Sequence, residues 1–157
     1  MRNLAILGLL ALELMLIGCG SSTSSTVKTA NGTWESALIG SDAGVGVFNF
    51  ITQFSVGTGG TLSVSYLSFL TTGPCFPISG DTASGSFDVT ASGTTPAANF
   101  QFTVQSGSNT LAMTGTATET TDSSGNITWS KIAGPWTLTG GTDCAGSGTF
   151  TMTRTGG

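Results

Sequence analysis

The sequence predicts an all-β fold: a small antiparallel up-and-down barrel of about eight strands, with a two-sheet sandwich as the alternative. Three observations carry this. Serine and threonine together supply 48 of 157 residues and glycine another 24, a composition that suits strands and tight turns. Apolar residues alternate with hydroxyl-bearing ones in segment after segment, the period of a sheet that is wet on one face. Eight such segments follow one another over short links, with no fixed-length repeat of the kind that marks a solenoid.

The chain divides into residues 1–18, 19–30 and 31–157. Met1-Arg2-Asn3 is a short basic start, and Leu4–Ile17 is an apolar run broken only by Gly8 and Glu13. At about 1.5 Å per residue such a run cannot cross a hydrocarbon core of about 30 Å, but it has the length of the apolar region of a helical signal peptide. It ends in Leu16-Ile17-Gly18-Cys19, which resembles the lipobox of bacterial lipoproteins. That resemblance implies cleavage before Cys19, a diacylglycerol on its thiol and a further fatty acyl chain such as palmitate on its amine. Several acyl chains on one residue give stable anchoring where a single one would not. It also implies a place in the cell envelope. With Gly20 after the cysteine rather than aspartate, it implies the outer membrane if the organism is Gram-negative. Residues 20–29, Gly-Ser-Ser-Thr-Ser-Ser-Thr-Val-Lys-Thr, have nothing to pack and read as a tether.

Strands are then expected at Thr33–Ile39, Val47–Val56, Thr61–Leu70, Gly85–Thr90, Phe100–Gln105, Thr110–Glu119, Ile127–Thr139 and Ser147–Arg154. Phe48, Phe50 and Phe54 share one face while Asn49 and Gln53 take the other. Phe100, Phe102 and Val104 alternate with Gln101, Thr103 and Gln105 in the same way. Gly134-Pro135 interrupts the seventh segment, and a bulge or bend is expected there because proline cannot donate to a ladder. Trp129 is out of phase with Trp136 unless a bulge lies between them.

Two pairings are expected. Cys75 and Cys144 remain once Cys19 is lipidated, and an exported protein sits where disulfides persist. In an up-and-down barrel the third and seventh links fall at the same end, opposite the N-terminus, so the two cysteines can meet there. The second pair is Trp34 with Arg154. Gly32-Thr33-Trp34 opens the first strand, and Arg154 is in phase with Phe150 and Met152 on the last. These residues resemble the pattern of the calycins, lipocalins and their relatives. There a Gly-x-Trp packs under an arginine of the last strand, which implies a guanidinium lying on the indole to close the barrel floor. The other reading is a core tryptophan and a surface arginine.

Composition also excludes chemistry. The chain has no histidine, and so lacks the commonest general base and metal ligand. Four Lys/Arg and a net charge of −4 leave no basic face for nucleic acid. No cofactor motif, phosphate loop or Cys-x-x-Cys pattern is present. The mature acids Glu35, Asp42, Asp81, Asp88, Glu119, Asp122 and Asp143 lie mostly at turns or strand ends, where solvated acids are ordinary, so no catalytic pair is expected. Phe48, Phe50, Phe54, Tyr66, Phe87, Phe100, Phe102, Trp136 and Phe150 either line a cavity for a small apolar ligand or fill the barrel, and their bulk favours filling. The expectation is thus a non-catalytic envelope protein. It either binds a small apolar molecule or an envelope component, or is a structural or interaction protein with a filled barrel and a protein or glycan partner.

Overall fold

The computed structural model describes residues 30–41, 48–70, 74–77, 80–90, 96–121, 127–141 and 143–157. The leader, Cys19, the tether up to residue 29, Asp42 and Asp122 lie outside the described residues. Eight strands form: β1 (Gly32–Gly40), β2 (Phe48–Val56), β3 (Leu62–Phe69), β4 (Thr82–Thr90), β5 (Ala97–Ser106), β6 (Asn109–Thr121), β7 (Ile127–Thr139) and β8 (Gly146–Gly156). Among the described residues the only helical turn is Thr58–Gly60, between β2 and β3.

All eight strands belong to one sheet in the order β3-β2-β1-β8-β7-β6-β5-β4, every pair antiparallel. The first and last strands pair from Thr33↔Gly156 to Gly40↔Gly148, so the sheet curls into a barrel closed between β1 and β8, rather than splitting into a sandwich. It stays open in one place. Among the described residues one bridge, Thr61↔Ser86, joins the residue before β3 to β4. Every other join is an extended ladder of seven or more paired residues.

Alternation sets the inside. Trp34, Ser36 and Leu38 of β1 are buried while Glu35, Ala37 and Ile39 face out, and Phe100, Phe102 and Val104 of β5 follow the same rule. Two bulges change the phase. On β3 the register shifts opposite Gln53 and Phe54, so that Leu62 and Val64 point inward before the shift and Leu67 and Phe69 after it. On β7 the register shifts opposite Thr118 and Glu119. This puts Ile127 and Trp129 inward on one side and Ile132, Trp136 and Leu138 inward on the other. Both tryptophans, seven residues apart and nominally on opposite faces, are therefore buried.

The irregularity expected at Gly134-Pro135 is displaced to Ser130. β7 runs straight through Gly134 and Pro135, which pair with Phe150 and Thr149 of β8. Against β6 these two residues are skipped without a change of register, Met113↔Trp136 resuming from Thr116↔Ala133. Pro135 has no N–H to offer β6. Gly134 lies so close to β6 that a Cβ would overlap the Thr114 carbonyl oxygen and meet the Gly115 Cα at 2.7 Å. The two strands stay closely packed past the interruption, without a shift of register.

Candidate functional site

Three parts of the barrel are candidates for contact with other molecules: the interior, its two ends and the open join. The interior is occupied by its own aromatic side chains. Phe76 stacks on Phe69 with centroids 4.3 Å apart, Phe69 meets Phe50 at 5.4 Å, and Phe50 stacks on Phe102 at 6.0 Å. Phe102 stacks on Phe100 at 5.8 Å, Phe100 meets Phe54 at 6.3 Å, and Phe54 stacks on Trp34 at 5.8 Å. The column thus runs from the link after β3 to the start of β1, the full length of the barrel. Phe150 joins it against Phe100, and Phe87 meets Trp129 edge-on. Spacings of this kind are those of favourable ring pairs. Phe48, Phe50, Phe54, Phe100, Phe102 and Trp136 are all buried as members of this core. Tyr66 is not: the β3 bulge turns it outward and leaves it 51% exposed. Phe76, absent from the expected lining, is 1% exposed; it sits in a link, where alternation gives no signal.

The end opposite the N-terminus is closed by the Cys75–Cys144 disulfide, which joins the β3–β4 and β7–β8 links with a Cα–Cα distance of 5.4 Å. Asn109, at the head of β6, ties both links together. Its amide donates to the Cys75 carbonyl at 2.8 Å, and its side-chain oxygen accepts from the Gly141 amide at 3.1 Å. Phe76 then plugs the barrel mouth against Phe48 and Phe69. Cys75 and Phe76 are thereby held across the mouth, toward the β7–β8 link.

At the other end Trp34 and Arg154 are direct partners across β1 and β8. The Trp34 indole donates to the Ala30 carbonyl at 3.0 Å. The Arg154 Nη2 donates to the Asn31 carbonyl, and the Asn31 side-chain oxygen accepts from the Val56 amide at 2.7 Å. The arginine thus stands beside the tryptophan across the β1–β8 pair and latches the incoming chain. Gly32, at φ +137°, permits the approach, since a Cβ there would overlap the Gly156 carbonyl oxygen. Glu119, Trp129 and Arg154, on three successive strands, each keep one buried polar atom without a hydrogen-bond partner among the described residues: Oε2, Nε1 and Nε.

The open join is a groove. Val64, Ser65, Tyr66 and Leu67 on one side and Asp81, Thr82 and Ala83 on the other enclose about 350 Å³. A smaller recess of about 180 Å³, lined by Leu67, Ser68, Phe69, Gly80 and Asp81, continues it. Val64, Leu67, Phe69 and Ala83 form an apolar floor, half covered and packed against the core. Asp81, in phase with the inward Ala83 and Phe87, has its Oδ1 buried without a hydrogen-bond partner. Among the described residues no three acidic or thiol side chains converge as metal ligands would.

The fold and these features define a class: a filled, disulfide-closed antiparallel meander barrel with one unsealed join. Compared with known proteins, the chain matches no family model, no curated protein and no solved structure.

Proposed function

We propose that this protein is a lipid-anchored envelope protein whose barrel is a non-catalytic interaction module, working through its exterior rather than through an internal ligand. The observation that carries the second half is the aromatic column from Phe76 to Trp34, which takes the volume an apolar ligand would need. The first half rests on Leu16-Ile17-Gly18-Cys19 and the packing-free stretch behind it. The latch of Ala30 and Asn31 onto Trp34 and Arg154 supports it too, because it gives a tether a firm point of attachment.

Two measurements test this reading. Mass spectrometry of the protein made in a bacterial host is expected to find an N-terminal Cys19 bearing diacylglycerol and an acyl chain; an unmodified Cys19 or an intact leader overturns the anchor. Titration of the detergent-solubilised full chain with a long-chain fatty acid, followed by tryptophan emission, is expected to give no saturable change. A saturable change with one site per chain would restore the internal-ligand reading.

A further inference from the structure

The join between β3 and β4 has three properties that together describe an occupant. First, it lies between the two edge strands of the sheet, which meet among the described residues through the Thr61↔Ser86 bridge alone. Unpaired edges are templates for another strand, and proteins that must avoid this guard them with lysine, proline or short length. Neither β3, Leu-Ser-Val-Ser-Tyr-Leu-Ser-Phe, nor β4, Thr-Ala-Ser-Gly-Ser-Phe-Asp-Val-Thr, carries lysine or proline, and the guards present are the β3 bulge and the inward Asp81, which a cation-bearing strand would answer. Second, the floor is apolar and only half covered, and the exposed Tyr66 lines it. Third, Asp81 lines both recesses, and its buried Oδ1 has no hydrogen-bond partner among the described residues. A buried carboxylate oxygen of this kind calls for a donor, best a charged one.

We infer that this groove receives an extended, lysine- or arginine-bearing segment of a partner protein. The segment adds as a strand along the edges of β3 and β4, with its cation against Asp81. This rests on the reading of the barrel as an exterior-contact module and names where that contact falls. Backbone hydrogen bonds supply affinity, alternate side chains cover Val64, Leu67 and Phe69, and the cation sets register.

Charge argues against a second copy as the occupant. The four cations of the chain are Arg2, Lys28, Lys131 and Arg154, none of them on β3 or β4. Two copies paired through this join would bring acids together with no base to answer them. The chain's own Lys28 cannot serve either. It precedes Ala30 at the latched end, and two residues reach only about 7 Å, whereas Asp81 lies at the disulfide end of the barrel.

The test uses the full chain in detergent and three short probe peptides. One alternates threonine and valine around a central lysine, the second has glutamate in place of the lysine, and the third keeps the lysine but has prolines at alternate positions. The lysine peptide is expected to bind saturably and to slow amide hydrogen exchange in β3 and β4 selectively. The glutamate peptide is expected to bind about tenfold more weakly, as is the lysine peptide to the Asp81→Asn variant. Asp81→Lys is expected to reverse the preference, and the proline peptide not to bind. The assignment is overturned if none of the peptides binds, if lysine and glutamate peptides bind alike, or if exchange in β3 and β4 is unmoved. It is also overturned if the chain alone already self-associates and Asp81→Asn abolishes that association. These failures leave the lipid analysis and the fatty-acid titration untouched, so loss of the groove and loss of the broader reading are separable.

Discussion

At the scale of single residues, the same side chain has different value at different addresses. Trp136 and Trp129 are both buried, but the Trp136 indole donates to the Ile39 carbonyl at 3.1 Å while the Trp129 Nε1 meets no partner. Replacing either with phenylalanine removes similar volume. Trp136→Phe is therefore expected to cost about 1 kcal/mol more than Trp129→Phe in urea unfolding, the worth of one net hydrogen bond. Glycines divide similarly. A Cβ at Gly134 would strike the β6 backbone, whereas one at Gly141 would meet nothing within 4 Å. Gly134→Ala should lower stability by about 1–3 kcal/mol, the range for overpacking, and Gly141→Ala by less than about 0.5 kcal/mol. Sequence made the inward roles of Phe50, Phe54, Phe100 and Phe102 readable because each alternates with a polar neighbour. It hid those of Phe76 and Tyr66. Phe76 is buried from a link, and Tyr66 is reversed by one extra residue on its strand, an insertion that leaves no mark in residue type.

At the scale of elements, the bulge at Ser130 decides whether β7 can be a core strand at all. With it, Ile127 and Trp129 face inward on one side and Ile132, Trp136 and Leu138 on the other; without it, one group must turn to solvent. Deleting Ser130 is expected to cost at least about 3–5 kcal/mol, the scale of losing one buried tryptophan, and to leave little folded protein by circular dichroism. The disulfide is the second such element. It closes a sequence separation of 69, for which chain entropy gives about 4 kcal/mol. Reduction, or Cys75→Ala with Cys144→Ala, should lower the denaturation midpoint accordingly and raise hydrogen exchange first around Phe76 and Phe69, whose stack the cross-link supports. All eight strands were visible in sequence because alternation and turn residues agree along the chain. The site of the β7 irregularity was not, because Gly134-Pro135 carries the usual signal of a break while the actual one lies in an ordinary Trp-Ser-Lys run.

At the scale of the whole molecule, the order of the strands matters more than their number. Closure falls between the first and last strands, and the weak join falls where the Cys75–Cys144 bridge holds Cys75 across the barrel mouth. Length and alternation predicted a barrel but could not locate this opening, which depends on contacts between residues far apart in the chain. The closure has a mechanical side. β1 is held along its length by β2 on one flank and β8 on the other, and its leading residues are clasped by Trp34 and Arg154. Interstrand hydrogen bonds lie across the strand axis. Tension entering at Ala30 therefore runs along β1 and loads both ladders at once, in shear, instead of peeling them open rung by rung. A barrel pulled from the residue before this strand resists unfolding along that direction.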